Sequence, residues 1–352
     1  MVKIARLKDI AEAAGVSITT VSRILNHTAT EVGISERTQE RVWAIARELN
    51  YQPNREARNL RLGRRPRSIL FLSLYEGRTF GEEGFLSHPF FGELMHAIQA
   101  EVSKCGCYLS YLAVNQDNVN SIATLLRDGV SGVITWGFIP PKLVKMLRRS
   151  GLPVAAIESY NNDLEGIHEV YVDNRQAVQL ALDHLYESGY RRIVMANLSF
   201  QNGGMHPVFA ERVACFQQYN ERYADWEVTI EEYERCDGTS DISAGEILGK
   251  RIFEHTDSPV GILAVNDLTA IGILNAAQKS GVQIPSQIGV VGIDDIEWGR
   301  FHAPALTTIR IPKAQLAAEA VKYLAGQLVG ERIESDVVLV DVELLKRETT
   351  PH

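Results

Sequence analysis

The sequence predicts a two-part protein: a small all-α module at the N-terminus, followed by a larger α/β body built on two parallel sheets. Three observations lead there. The chain has 352 residues, more than the ~100–200 that one domain usually takes. Its charge is divided: up to Arg67 there are 13 Lys and Arg against 7 Asp and Glu, net +6, whereas the remainder carries 23 against 37, net −14. From Ser68 onward, short apolar runs alternate with longer amphipathic stretches, the pattern of βαβ units.

Composition narrows the class. Hydrophobic residues at 45% and charged residues at 23% are ordinary globular values, which excludes wholesale disorder. No apolar stretch approaches the ~20 residues of a membrane helix, and Met1 to Asp9 has no apolar signal core. The expectation is a cytoplasmic protein with no membrane partner. Cys105, Cys107, Cys215 and Cys236 make no C-x-x-C pair and read as buried, reduced thiols. The nine histidines contain no H-E-x-x-H, so neither a metal nor a cofactor is expected.

In the first module, Leu7, Ile10, Ala11 and Ala14 form one apolar stripe of a short helix, and Gly15 follows where a left-handed cap sits. Ser17 can cap a second helix whose inward face is Val21, Ile24 and Leu25, leaving Ile18, Thr19, Ser22 and Arg23 outward. Two short helices around a Gly turn make a helix-turn-helix, whose second helix offers its N-terminal residues to the major groove. Ser35 is the N-cap expected for a third helix with the stripe Val42, Ile45, Ala46 and Leu49. Pro53 stops that helix, and Asn54 can cap a last one, Arg55 to Arg61. At about seven residues it is marginal alone. A partner chain and DNA together would order it, its basic residues facing phosphates and Leu60 wedging into a minor-groove step.

Leu7-Lys8-Asp9-Ile10-Ala11-Glu12-Ala13-Ala14-Gly15-Val16-Ser17-Ile18-Thr19-Thr20-Val21-Ser22-Arg23-Ile24-Leu25-Asn26 closely resembles the DNA-binding headpiece of the lactose/galactose repressor (LacI/GalR) family. Asn50-Tyr51-Gln52-Pro53-Asn54 with Ala57, Arg58 and Leu60 resembles that family's hinge helix. The resemblance implies that Ile18, Thr19 and Arg23 read bases while Thr20, Ser22 and Asn26 lie near the DNA backbone, with Ser17 also among the DNA-binding residues. Asn54, Arg58 and Leu60 act from the hinge, with Leu60 inserted at the operator centre. Arg23 can bond a guanine edge bidentately, and Ile18 can meet a thymine methyl.

For the body, the strands expected are Ser68 to Leu74, Tyr108 to Ala113, Gly132 to Trp136, Val154 to Ile157, Ile193 to Ala196, Gly261 to Val265 and Gly289 to Ile293. They are too many for one sheet of ~5–6 strands, so two lobes are expected, with ligands at the C-terminal strand ends. No G-x-G-x-x-G, Walker loop or G-x-S-x-G falls in a strand-to-helix turn. Val172-Asp173-Asn174, His184-Leu185 with Gly189 to Ile193, Asn266 to Gly272, Val290 to Asp295 and Pro304 to Ile309 are similar to the same family's regulatory core. That resemblance implies a periplasmic-binding-protein-like body of two lobes joined by three crossings, here placed near Asp173, Pro304 and Val338, and a homodimer.

The domains expected are therefore a headpiece at 1–52, a hinge helix and linker at 53–66, and an effector-binding and dimerisation domain at 67–352. Within the last, the N-lobe takes 67–172 and 306–337, and the C-lobe 173–305 and 338–352. The resemblance also places Phe90, Phe91, Trp136, Glu158, Tyr171, Arg212, Asn266 and Asp294 in the effector pocket. Aromatic faces mixed with Arg, Asn, Asp and Glu suit a sugar. The function expected is a sequence-specific DNA-binding repressor of carbohydrate-metabolism genes, not an enzyme, with operator DNA and a sugar-like effector as partners. The rival reading is a cytosolic sugar-binding module without DNA function.

Overall fold

Leu7–Ala14 (α1), Ile18–Leu25 (α2) and Glu36–Glu48 (α3) form the N-terminal module. This computed structural model describes residues 7–25, 33–49, 67–74, 88–114, 122–160, 163–200, 205–219, 222, 224–235, 239–254, 259–331 and 333–351. Gly15 takes φ +62° after α1, the left-handed value that costs a Cβ-bearing residue most, and the Val16 N–H closes the turn on the Ala11 carbonyl at 3.1 Å. Ser17 Oγ accepts from the Thr20 N–H at 3.0 Å and Ser35 Oγ from the Thr38 N–H at 3.4 Å, so both expected caps form. Ile10, Val21, Ile24 and Val42 meet in the core with Ala11, Ala14, Leu25 and Ala46. Each large side chain buried there contributes ~1.5–3 kcal/mol. The third stripe ends early: Ile45 is half-buried, and Leu49 lies beyond α3 as its C-cap, 38% exposed. The expected hinge helix, with Asn54, Arg58 and Leu60, lies outside the described residues, as do Asn26 and Cys236.

The chain divides into two units, residues 1–66 and 67–352. In the second unit, one sheet holds β1 (Ser68–Leu74), β2 (Tyr108–Val114), β3 (Gly132–Trp136), β4 (Val154–Ile157), β5 (His168–Val172) and β11 (Val337–Val340). Its order is β11-β5-β4-β3-β1-β2, with every pairing parallel. The other sheet holds β6 (Arg192–Phe200), β7 (Glu227–Arg235), β8 (Val260–Ala264), β9 (Ile288–Asp294), β10 (Thr307–Arg310) and β12 (Glu343–Leu345), in the order β12-β10-β9-β8-β6-β7. It is parallel except that the short β12 runs antiparallel to β10. Every residue of β3, β4, β8 and β9 is buried, because helices cover both faces of a parallel sheet. These helices are α4 (Pro89–Lys104), α5 (Ile122–Asp128), α6 (Pro141–Ser150), α7 (Asn174–Glu187), α8 (Pro207–Tyr219), α9 (Asp241–Glu254), α10 (Asp267–Ser280), α11 (Glu297–Phe301) and α12 (Lys313–Val329).

The chain crosses between lobes three times, and two crossings lie downstream of the places expected. The first is at Asp173, which caps α7 by accepting the Gln176 N–H at 2.8 Å. The second is at Ile311 and Pro312, not Pro304, because Thr307–Arg310 pairs with β9 in the second sheet while α12 packs on α4 and the first sheet. The third is at Asp341 and Val342, not Val338, because Val337–Val340 pairs with β5 before Glu343–Leu345 joins β10. The N-lobe return segment is thus about 313–340 rather than 306–337. Cys105, Cys107 and Cys215 are free thiols.

Candidate functional site

A cavity lies between the two lobes of the second unit, at the C-terminal ends of their strands, where open α/β sheets place ligand sites. Trp136 ends β3, Glu158 follows β4, Asn266 follows β8, and Asp294 ends β9. Phe90 and Phe91 open α4, and Arg212 projects from α8. These seven expected residues all line the cavity.

Tyr171 does not, which corrects the expectation. Strand β5 alternates buried and half-buried positions from His168 to Val172. Neighbouring side chains on a strand take opposite faces, so Val172 reaches the cavity and Tyr171 turns away. Its hydroxyl donates to Glu169 and its ring lies 4.9 Å from that of Tyr160.

Further lining residues escaped sequence reasoning, among them His88, His206, Phe209, Arg235 and Asp241. Arg235 ends β7 and Asp241 starts α9. The strand-end rule would have found them had the glutamate-rich run Glu227–Arg235 been read as a strand. The two histidines sit on loops just before α4 and α8, each followed by a proline, and no sequence signal marks them.

The polar groups form two anchored sets. Arg235 Nη1 meets Asp241 Oδ1 at 2.6 Å, and Asn266 Nδ2 donates to Asp241 Oδ2 at 2.6 Å while its Oδ1 caps α10 through the Thr269 N–H. Arg212 donates from Nε to Asn174 Oδ1 at 2.9 Å and from Nη1 to the Val265 carbonyl at 2.6 Å, with Asp294 3.8 Å from Nη2. Burial lifts the Asp294 carboxyl above the usual carboxylate range despite that guanidinium, and nearby Asp267 adds to the lift. Glu158 accepts from the Val172 N–H and from the Tyr160 hydroxyl, yet burial outweighs both and pushes it up to about 7.

The apolar side of the cavity is aromatic. Phe91 meets Trp136 edge-on at 4.3 Å, and His206 from the opposite lobe stacks on Trp136 at 5.3 Å with planes 20° apart. Burial, with Arg212 and Arg235 nearby, drives His206 down to about 3, so the ring is neutral. Its Nδ1 has no hydrogen-bond partner among the described residues. Lys313, at the start of α12, donates Nζ to the Asp294 carbonyl at 2.7 Å and meets Glu93 of α4 at 2.9 Å.

In the first unit, α2 buries Val21, Ile24 and Leu25 and leaves Ile18, Thr19 and Arg23 exposed, Ile18 by 47%. Thr20 and Ser22 are half-buried, and the Ser17 and Thr20 hydroxyls share a hydrogen bond of 2.8 Å. Among the described residues, no group of His, Cys, Asp and Glu could hold a metal ion, and no helix is long and apolar enough to cross a membrane.

Comparison with known proteins divides the chain the same way. Residues 6–54 match the description "Bacterial regulatory proteins, lacI family", and residues 182–350 match "Periplasmic binding protein-like domain". The HTH-type transcriptional repressor PurR of Aliivibrio fischeri (strain MJ11) is 26% identical, covering 98% of each chain. The ribose operon repressor of Halalkalibacterium halodurans is 29% identical, covering 98% of this chain and 96% of its own. Among solved structures, the lac repressor dimer bound to operator and the anti-inducer ONPF superposes with a TM-score of 0.76 at 24% identity, covering 99% of each chain.

Proposed function

We propose that the chain, which carries a lacI-family DNA-binding domain over residues 6–54 and a periplasmic-binding-protein-like domain over residues 182–350, is a DNA-binding transcriptional repressor controlled by a small sugar-like effector in the interlobe cavity. The observation that carries the effector half is the cavity itself. Aromatic side chains of Phe91, Trp136 and His206 line it together with hydrogen-bonding groups from Glu158, Arg212, Asn266 and Asp294, the combination that suits a ring with C–H faces and hydroxyl edges.

Its charge favours a neutral ligand. Arg235 is already engaged by Asp241, and Arg212 lies between Asn174 and Asp294. A phosphate ester would find both guanidiniums already committed to protein acceptors. For the DNA half, Ile18, Thr19 and Arg23 are the proposed base-reading residues, with Ser17, Thr20, Ser22 and Asn26 along the backbone and Asn54, Arg58 and Leu60 from the hinge. A homodimer would present two such helices to the half-sites of a symmetric operator.

The test is selection from a random duplex library by the full-length chain, alone and with a panel of neutral sugars and their phosphate esters. A two-fold-symmetric consensus whose binding responds to a neutral sugar is expected. Arg23→Ala should cost ~1–3 kcal/mol on that consensus and relax preference at one position per half-site. Enrichment of no sequence by the wild-type chain would leave only a sugar-binding module.

A further inference from the structure

Behind the cavity wall, four side chains make a continuous hydrogen-bonded line from one lobe to the other. Arg212 Nε donates to Asn174 Oδ1 at 2.9 Å, Asn174 Nδ2 donates to the Tyr160 hydroxyl at 2.5 Å, and that hydroxyl donates to Glu158 Oε2 at 2.9 Å. Arg212 and Asn174 belong to the C-lobe, Tyr160 and Glu158 to the N-lobe, and the line passes beside the first crossing at Asp173. Only its two ends, Arg212 and Glu158, line the cavity.

The direction of every bond is fixed. The guanidinium has only protons to give, so Asn174 must turn its carbonyl to Arg212 and its amide to Tyr160. The phenol has one proton, and with Asn174 donating to its oxygen, that proton points at Glu158. A cation at one end and a carboxyl at the other polarise the bonds between them in the same sense. The backbone is shaped to make this possible. Glu158 and Tyr160 stand at φ +53° and +47°, in a region non-glycine residues seldom adopt and which persists only where surrounding structure enforces it. A left-handed residue on each side of Ser159 folds the segment back so that both side chains reach the crossing.

We propose that Tyr160 and Asn174 are positioning residues for the effector site, holding Arg212 and Glu158 in register across the two lobes so that loss of the Tyr160 hydroxyl unlocks the lobes without altering the cavity wall. The proposal rests on the reading of the cavity as the effector site. The charged and titratable groups facing Glu158 are Tyr160 on its own loop, Tyr171 on β5, and Arg212 and Glu211 on α8. Of these, Tyr160 donates a hydrogen bond that favours the ionised carboxylate, so removing it raises the pH at which Glu158 loses its proton.

The test compares the full-length wild-type chain with Tyr160→Phe, which keeps the ring, with Asn174→Ala, and with the double variant. D-ribose, D-xylose, D-glucose and lactose are titrated calorimetrically on either side of neutral pH. Tyr160→Phe should weaken the bound sugar roughly tenfold, and the double variant should be no weaker than the weaker single one, since both break one line. Unchanged affinity, or losses that multiply, would overturn the proposal. If none of the four binds wild type, that result counts against the effector reading, and the relay is read in the ligand-free chain. With glutamate carboxyls labelled with carbon-13 and Glu158→Gln identifying the resonance, the wild-type midpoint should lie near 7 and rise in both single variants. A midpoint that stays in place would refute the relay independently of any ligand.

Discussion

A carboxyl group removed from water resists ionising, and Glu158, 3% exposed, shows the cost directly. Two donated hydrogen bonds and the Arg212 charge pull its proton affinity down, burial pulls it up, and burial wins, from an ordinary 4.5 to about 7. The folded state therefore binds a proton more tightly than the unfolded chain does. By linkage, stability conferred by the protonated form is full below the unfolded value and is lost as pH rises toward the folded one. At ~1.4 kcal/mol per pH unit, Glu158 should cost about 3 kcal/mol between pH 4.5 and 7. Glu158→Gln has no proton to lose, so its stability relative to wild type should grow across that window by about this amount. Urea unfolding at several pH values measures the difference. A difference independent of pH would mean that Glu158 is solvated in the native protein. Asp294 shifts in the same direction, which is why the comparison is between proteins and not of one slope.

Between helices, α9 and α10 pack backbone against backbone, and glycines permit it. A Cβ at Gly245 would stand 2.2 Å from the Thr269 carbonyl oxygen, and one at Gly272 would stand 2.1 Å from that of Ile242. Both obstacles are backbone and cannot rotate away. Gly272→Ala should push the helices apart at a cost of roughly 1–3 kcal/mol or more, seen as a lower urea midpoint, even though alanine is the better helix former. An unchanged or higher midpoint would show that the helices slide without loss. At this scale the sequence was legible where burial is two-sided. Gly132–Trp136 and Val154–Ile157 are continuous apolar runs, and both strands begin and end as expected. It was not legible in edge strands such as Glu227–Arg235, where only Arg235 is buried and glutamates on both faces break up the apolar run. Nor does a local pattern say which sheet accepts a strand: Thr307–Arg310 was expected to follow a crossing and instead precedes it. Strand-end residues of the cavity were legible because topology puts them there. Tyr171 failed by one residue of parity, and His88 and His206 depend on how two lobes meet.

For the whole molecule, the decisive quantity is the free-energy coupling between its two binding events. Three chain crossings join the lobes, and near them lie contacts that link one lobe to the other: the Asn174–Tyr160 hydrogen bond beside the first and the Lys313–Asp294 bond beside the second. Packed interfaces of this kind occupy discrete arrangements rather than deforming smoothly. A ligand then acts only through the difference in its affinity for those arrangements. If the sugar and the operator select between the same two, thermodynamics requires the effect to be reciprocal: the factor by which saturating sugar changes operator affinity must equal the factor by which saturating operator changes sugar affinity. The acidic body, net −14, and the basic N-terminal segment, net +6, make this demanding, because operator affinity falls steeply with salt through counterion release while a neutral ligand releases none. Raising the salt should therefore weaken operator binding by orders of magnitude and leave sugar binding to the free protein nearly untouched. At each salt concentration the two coupling factors should still agree. Calorimetric titration of the sugar with and without operator, set beside operator titration with and without sugar, tests this. Factors equal to one in both titrations would mean that ligand and DNA do not act on one shared equilibrium, and the cavity would then not control operator binding.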